Sequence, residues 1–174
     1  MAVRLREARR GDEPTVADVH VRAWQEAYRG LIPDEYLDDL DPEDRAARYT
    51  FEADDPGAPT TLLAVQDGED CGEVILGFVT YSPSRDADAP DHGEVVALYV
   101  DPDRYESGVG RMLMAEARRR LWEAGFTDAL LWVLDGNDRA ARFYEGEGWS
   151  PDGATREEQP YGVVSNVRRF RRPL

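Results

Sequence analysis

Two glycine-containing segments in the middle of the chain carry the residue types that could do chemistry. The first follows the apolar run Val95–Val100 and extends from Tyr105 to Arg111, after which apolar residues recur at helical spacing. Glycine lets the backbone approach a ligand closely, and the first amides of a helix have no partner within it. Because these amides lie at the positive end of the helix dipole, the segment predicts an anion site, with phosphate as its usual ligand.

This turn alone does not identify a nucleotide. It lacks the Gly-Lys-Ser/Thr ending of a nucleoside triphosphate loop and the three glycines of a dinucleotide fingerprint. The second segment begins with the apolar run Leu130–Leu134, which precedes Asn137 and then Phe143 and Tyr144. Asn137 is expected to cap a helix, and Tyr144, seven residues later, is expected on the same helix face two turns further on.

The two segments together resemble the GNAT superfamily of acetyl-CoA-dependent N-acetyltransferases. The similarity rests on Leu98-Tyr99-Val100-Asp101-Pro102 with Gly108-Val109-Gly110, and on Leu134, Asn137, Ala140, Phe143-Tyr144-Glu145 and Gly148-Trp149. It is strongest over residues 93–150 and is compatible with the whole chain. The motifs are specific for the superfamily but say little about the acceptor.

The resemblance implies an α/β fold with a strongly twisted, mostly antiparallel mixed sheet and helices on both faces. The strands Glu94–Val100 and Thr127–Leu134 would be parallel neighbours that splay apart, and the thioester arm of acetyl-CoA would enter the wedge between them. Backbone groups of Leu98 and Val100 would pair with the pantetheine arm, and the turn amides would hold the diphosphate. The implied cofactor-binding residues are Leu98, Tyr99, Val100, Tyr105, Glu106, Ser107, Gly108, Val109, Gly110, Arg111, Asn137 and Phe143.

The head of the turn departs from the family pattern. Where the family usually has Gln or Arg, this chain has Tyr105, and Glu106 adds a negative charge beside a dianionic ligand. A carboxylate there opposes the anion's interaction with the helix terminus, which is typically about 0.3–1 kcal/mol. Arg104 or Arg111 is expected to compensate.

Transfer to an amine calls for a base, because an alkylammonium with a pKa of about 10.4 is almost fully charged at neutral pH. Glu94 is the first candidate, since it is expected to share a strand face with Val96 and Leu98 and to point toward an apolar layer. The alternative is a strand-end residue that reaches water. Asp91 and His92 are outside candidates.

The departing thiolate calls for an acid, and the resemblance implies Tyr144, whose phenol can supply a proton to the sulfur. The alternative for Tyr144 is a core aromatic beside Phe143. Asn137 is compatible both with helix capping and with a contact to the CoA arm. The resulting hypothesis is direct attack by a primary amine of a small molecule. A non-catalytic acyl-CoA-binding regulatory module and a protein or peptide N-acetyltransferase with an open acidic groove stay as alternatives.

Recognition of the acceptor is assigned to the first helix and to nearby loops. Trp24 and Tyr28 are placed as substrate-binding residues, together with Tyr36, because aromatic rings can hold an ammonium group by cation–π contact. Core packing is an equal alternative for Trp24. The segments 82–92, which is expected to be a mobile loop, and 151–162, which is polar and turn-rich, are candidate lids.

The remaining elements follow from periodicity and turn residues. Val3–Ala8 predicts a first strand, and Asp12 is a candidate cap for the first helix. A hairpin is predicted over 60–81. The segment 163–171 is expected to be a closing edge strand that could pair between subunits of a homodimer.

Composition bounds the class of protein. The 174 residues are most simply one domain, 1–174, and the net charge of −15 argues against a nucleic-acid partner. The charge is compatible with a cationic acceptor, but solubility is the favoured explanation. The single Cys71 excludes a disulfide framework and a multi-thiolate metal site, so no metal cofactor is expected. The N-terminus lacks an apolar leader and no run of 18 apolar residues occurs, so a cytoplasmic protein without membrane contact is expected.

Overall fold

The computed structural model describes residues 2–51, 57–68, 72–159 and 163–174. The strands are Arg4–Glu7 (β1), Thr60–Asp67 (β2), Glu73–Pro83 (β3), Gly93–Val100 (β4), Asp128–Leu134 (β5), Ser150–Glu158 (β6) and Ser165–Pro173 (β7). The helices are Glu13–Ala27 (α1), Asp34–Asp38 (α2), Pro42–Ala46 (α3), Val109–Glu123 (α4) and Asp138–Gly146 (α5). Cys71 lies outside the described residues.

The seven strands form one sheet in the order β1-β2-β3-β4-β5-β7-β6, and every neighbouring pair is antiparallel except β4 and β5. On one face, Val16 and Val19 of α1 pack against Phe78 of β3. On the other face, Leu113 and Ala117 of α4 belong to the larger core cluster. The predicted mixed sheet with helices on both faces is therefore confirmed.

The parallel pair β4–β5 splays apart almost at once. Strand pairing joins Gly93 to Ala129 and Glu94 to Leu130, and extends no further within the described residues. The apolar run Val95–Val100 predicts a strand buried on both faces, but from Val96 onward its residues are only partly buried. They stay partly exposed because a cleft takes the place of the neighbouring strand.

A β-bulge at Val96 reverses the alternation of side chains along β4. The register passes from Tyr81–Val95 to Thr80–Ala97, which leaves Val96 as the extra residue. Val95 and Leu98 accordingly pack on the α4 face, whereas Ala97 packs on the α1 face.

The strand face predicted for Glu94 is therefore wrong. A Cβ at the preceding Gly93 would lie 2.8 Å from Leu121 of α4, so Glu94 projects to the α1 face, opposite to Leu98. A run that is apolar at every position carries no signal for a bulge, because either face could hold any of its residues.

The position predicted for segment 163–171 is also wrong. From Ser165 onward this segment belongs to β7, which lies between β5 and β6, so β6 is the edge strand. The sequence of β6 is polar, which is typical of a turn-rich segment. Polar side chains also suit an edge strand, because most of β6 is exposed to solvent. The sequence makes the segment 151–162 a candidate lid. Its positions 151–158 belong to strand β6, and positions 160–162 lie outside the described residues.

The Asp12 side chain does not cap α1, although the sequence makes it a candidate. Asp12 precedes α1, but its side chain makes no capping bond and instead binds Arg6 at 2.7 Å.

None of the helices in the described ranges has the length and hydropathy needed to cross a bilayer.

Candidate active site

A cavity of about 520 Å³ opens where β4 and β5 separate. Its walls come from α1, from the two strands, from the turn before α4 and from α5. All twelve positions predicted to bind the cofactor line it, as do Tyr28 and Tyr144. Glu94 and Trp24 do not line it. The fold therefore brings together residues that lie more than a hundred positions apart in the sequence.

The turn before α4 presents bare amides to this cavity. Gly108 has a φ of 86° and Glu106 a φ of 63°, the left-handed backbone region that glycine adopts easily and glutamate rarely. Among the described residues, no backbone carbonyl accepts from the amides of Val109, Gly110 or Arg111. The Glu106 side chain is exposed. Unpaired amides at a helix N-terminus fit a diphosphate, so this site suits coenzyme A.

The unpaired edge of β4 fits the pantetheine arm of coenzyme A. From Val95 to Val100, the side of the strand that faces β5 has no ladder partner in the described residues, while the other side is paired with β3. Backbone groups along this edge need hydrogen-bond partners. An extended amide-containing arm such as pantetheine could supply them.

Helix α5 positions the predicted acid. The Asn137 side chain accepts a hydrogen bond from the Ala140 amide at 3.2 Å and so caps the helix, as predicted. Two turns on, Tyr144 lies against Phe143 with ring centroids 5.4 Å apart. Burial raises the pKa of Tyr144, so its phenol stays protonated at neutral pH. A protonated phenol beside the cavity can act as a proton donor.

Helix α1 supplies the opposite wall. Tyr28 lines the cavity and hydrogen-bonds to Tyr99, and burial raises the pKa of Tyr28 as well. Trp24 packs edge-on against Tyr28, with centroids 5.0 Å apart, in a cluster with Ile32 and Leu37. Trp24 thus takes the core-packing position that the sequence left as its alternative, and Tyr36 packs against the same cluster.

Glu94 is buried, with 3% of its side chain exposed, and it is paired. Its carboxylate accepts hydrogen bonds from the Arg85 guanidinium at 3.0 Å and from the Arg85 amide at 3.2 Å. The outside candidates do not line the cavity: Asp91 is exposed, and the Nε2 atom of His92 lies 3.3 Å from Arg171.

The segment 84–92 is tied to the sheet through Asp86, a residue that no sequence motif singled out. The Asp86 carboxylate accepts from the Trp132 indole at 3.0 Å, from Arg156 at 2.9 Å and from Arg169 at 3.1 Å. Trp132 lines the cavity, and the Arg156 guanidinium lies over its ring at 3.9 Å. An aspartate in an aperiodic loop gave no signal for this role, because its partners lie more than 40 positions away.

Comparison with known proteins decides the family. The sequence pattern of the acetyltransferase (GNAT) family matches residues 20–149. The chain belongs to this GNAT family. It is therefore an acyltransferase, which removes the alternative of a non-catalytic binding module.

Relatives of this GNAT protein agree with that assignment. It is 30% identical to N-acetyltransferase YuaI of Bacillus subtilis over 135 residues, which are 78% of this chain and 73% of YuaI. PaiA N-acetyltransferase from Thermoplasma acidophilum, solved in complex with coenzyme A, has a TM-score of 0.70 and 19% identity over the full length of both chains. Ribosomal-protein-S18-alanine N-acetyltransferase from Escherichia coli has a TM-score of 0.66 and 17% identity over 99% of this chain and 94% of that one. These two structures show the shared fold.

Proposed function

We propose that this GNAT protein transfers the acetyl group of acetyl-CoA to a primary amine of a small molecule by direct attack. The observation that carries the proposal is the cavity between β4 and β5, because bare turn amides line one part of it and the Tyr144 phenol another. The first part suits a diphosphate and the second a departing sulfur.

Each proposed role follows from a position in the cavity. Backbone amides of β4 around Leu98 and Val100 polarise the thioester carbonyl, since preorganised donors stabilise the charge that develops there. Tyr144 gives its proton to the sulfur as the carbon–sulfur bond breaks and the new carbon–nitrogen bond forms. Bound acetyl-CoA supplies the activated acyl group.

Glu94 is the proposed final acceptor of the amine proton. The carboxylate lies outside the cavity lining, so the proton reaches it through water. Glu94 lies on the α1 face of the sheet, where Tyr99 and Tyr28 border the space left for an acceptor. The pairing with Arg85 keeps a charged carboxylate compatible with its burial.

The contacts of two neighbouring segments favour a small acceptor. The segment 84–92 is held against Trp132, which lines the cavity. Leu31, in the loop after α1, comes so close to Gly136 that a Cβ there would lie 2.8 Å from it, and the next residue, Asn137, lines the cavity. Fixed segments beside the cavity leave more room for a compact amine than for a folded peptide segment.

The test is an acetylation assay with acetyl-CoA and pooled primary amines, with unstructured peptides as a separate pool. We expect free thiol to appear together with a product 42 mass units heavier in a small-amine pool, roughly the mass that an acetyl group adds. Acetylation of peptides alone would replace the small-molecule acceptor by a protein, which is the acceptor type named for the Escherichia coli structural neighbour.

A further inference from the structure

Two arginines at the cavity have no acidic partner, although the chain is strongly acidic. Arg104 and Arg139 both line the cavity. Within the described ranges, neither has a carboxylate at ion-pair distance, whereas Arg111 of the same turn is bound to Glu147 at 2.8 Å. Of the two arginines expected to compensate for Tyr105 and Glu106, Arg111 is thus already engaged. In a protein with a net charge of −15, an unpaired guanidinium in a cavity wall needs an explanation.

Arg139 is held in a defined orientation. Its guanidinium carbon lies 3.6 Å from the centroid of the Tyr105 ring, so the planar group stacks on the face of the ring. Stacking uses the face of the guanidinium and leaves its edge N–H groups free, and these edge donors match two phosphate oxygens at once. Tyr105, the residue that departs from the family pattern, is therefore the platform for a cation that comes from another element.

Arg139 does not stabilise helix α5 from its position in the first turn. It is the second residue of α5, and a positive charge in the first turn opposes the helix dipole. The side chain is also exposed, so it contributes little to packing. A cost to the helix without a gain in ion pairing or burial points to a role toward a ligand.

We propose that Arg139, oriented by Tyr105, binds a phosphate of coenzyme A and so supplies a cation beside the position where this chain has Tyr105 in place of the family's usual Gln or Arg. This inference rests on the proposed use of acetyl-CoA. The turn amides before α4 and the Arg139 guanidinium line the same cavity, and the guanidinium lies beside the turn through its contact with Tyr105, so both can contact one anion. Arg139 is a ligand-binding residue and Tyr105 a positioning residue.

The test is titration calorimetry of coenzyme A with the wild type, Arg139→Gln and Arg142→Gln. Arg142 is the matched control, because it is an exposed arginine of the same helix that does not line the cavity. Loss of a charge-assisted bidentate contact is expected to raise Kd about 10–100-fold for Arg139→Gln. Arg142→Gln should bind as the wild type does. Equal affinity of Arg139→Gln and wild type would overturn the inference.

Dephospho-coenzyme A, which lacks the 3′-phosphate, identifies the phosphate concerned. If Arg139 holds the diphosphate, the Arg139→Gln penalty persists with this ligand; if it holds the 3′-phosphate, the penalty disappears. Either result supports a phosphate contact, whereas a penalty that is absent with both ligands contradicts it.

Tyr105→Leu tests the platform. It is expected to weaken coenzyme A binding in the wild-type background and to add little in the Arg139→Gln background, because the two residues act as one unit. Additive losses would contradict a positioning role. Melting temperatures of all variants verify folding.

The two proposals fail in different ways. A wild type that does not bind coenzyme A would overturn both, whereas a wild type that binds it but acetylates no amine would overturn only the proposed function.

Discussion

Tyr144 and Glu94 illustrate how burial has different consequences for two ionisable side chains. Burial raises the pKa of Tyr144, and the phenol stays a proton donor across the neutral range. Glu94 is also buried, but it lies against the Arg85 guanidinium, which compensates a negative charge there. A donor and a charged acceptor of protons are the two groups that amine acetylation calls for.

Replacing Tyr144 by Phe should lower kcat about 100-fold or more, because the ring is retained and only the proton donor is lost. The Kd for coenzyme A should change little. Steady-state kinetics and calorimetry measure both values. Tyr81→Phe is the control, since Tyr81 loses the same hydroxyl but does not line the cavity. Full turnover by Tyr144→Phe would eliminate the general-acid role.

Replacing Glu94 by Gln should lower kcat/KM about 100-fold, because the amine proton then has no carboxylate to reach. The measurement is steady-state kinetics with one identified amine. Arg85→Gln breaks the same ion pair but keeps the carboxylate, so it should lose less activity. Equal kcat/KM values for Glu94→Gln and wild type would exclude Glu94 as the base.

Among the elements, β4 has the largest influence on the site. Its first two residues pair with β5, the bulge at Val96 follows, and the rest of the strand faces the cavity. The bulge places Leu98 and Tyr99 on faces opposite to those that strict alternation from Glu94 would give. One extra residue in one strand therefore decides which side chains of β4 face α4 and which face α1.

The segment 84–92 is a second element whose position depends on few contacts. Asp86→Asn should weaken its bonds to Arg156 and Arg169 and lower stability by about 1–3 kcal/mol, because hydrogen bonds to charged groups are the stronger ones. Amides of 84–92 should exchange faster with deuterium. Asp91→Asn, an exposed change in the same segment, should leave exchange unaltered. Unchanged exchange in Asp86→Asn would show that other contacts fix the loop.

At the scale of the whole molecule, the core contains a histidine that resists protonation. His20 of α1 is buried, bonds to the Tyr49 hydroxyl at 2.6 Å and stacks on Tyr99 with centroids 4.6 Å apart. Burial, with a smaller contribution from the Arg45 charge, lowers the pKa of His20 to about 3. An unfolded chain would take up this proton at a pH near 6.5.

Stability should therefore fall as the pH drops below about 6.5, by about 1.4 kcal/mol per pH unit, because the unfolded state binds a proton that the folded state excludes. Carboxylates whose pKa values are lowered by arginine, such as Asp88 and Glu116, add to this loss only at a more acidic pH, below about 4.5. Melting temperatures between pH 7 and 4.5 measure the effect. His20→Gln should flatten this dependence while keeping a partner for Tyr49, and an equal slope in both proteins would contradict the assignment.

Local sequence patterns, together with the family resemblance, identified many of the residues that line the cavity. The apolar runs, the glycines of the turn before α4 and the interval between Asn137 and Tyr144 depend on residues within a few positions of one another. Helix starts, turns and faces obey local rules, so the twelve positions assigned to the cofactor, all of which line the cavity, could be predicted from residue types and spacing together with the family resemblance. Their chemical roles stay predictions.

The contacts that the site residues make depend on the tertiary structure. The face of Glu94 depends on a bulge that an all-apolar strand cannot encode, and the bond between Asp86 and Trp132 joins positions 46 apart. The stacking of Arg139 on Tyr105 likewise requires two elements to be packed side by side. Such contacts follow from strand register and packing, which depend on the whole chain at once, whereas residue spacing reports only on near neighbours.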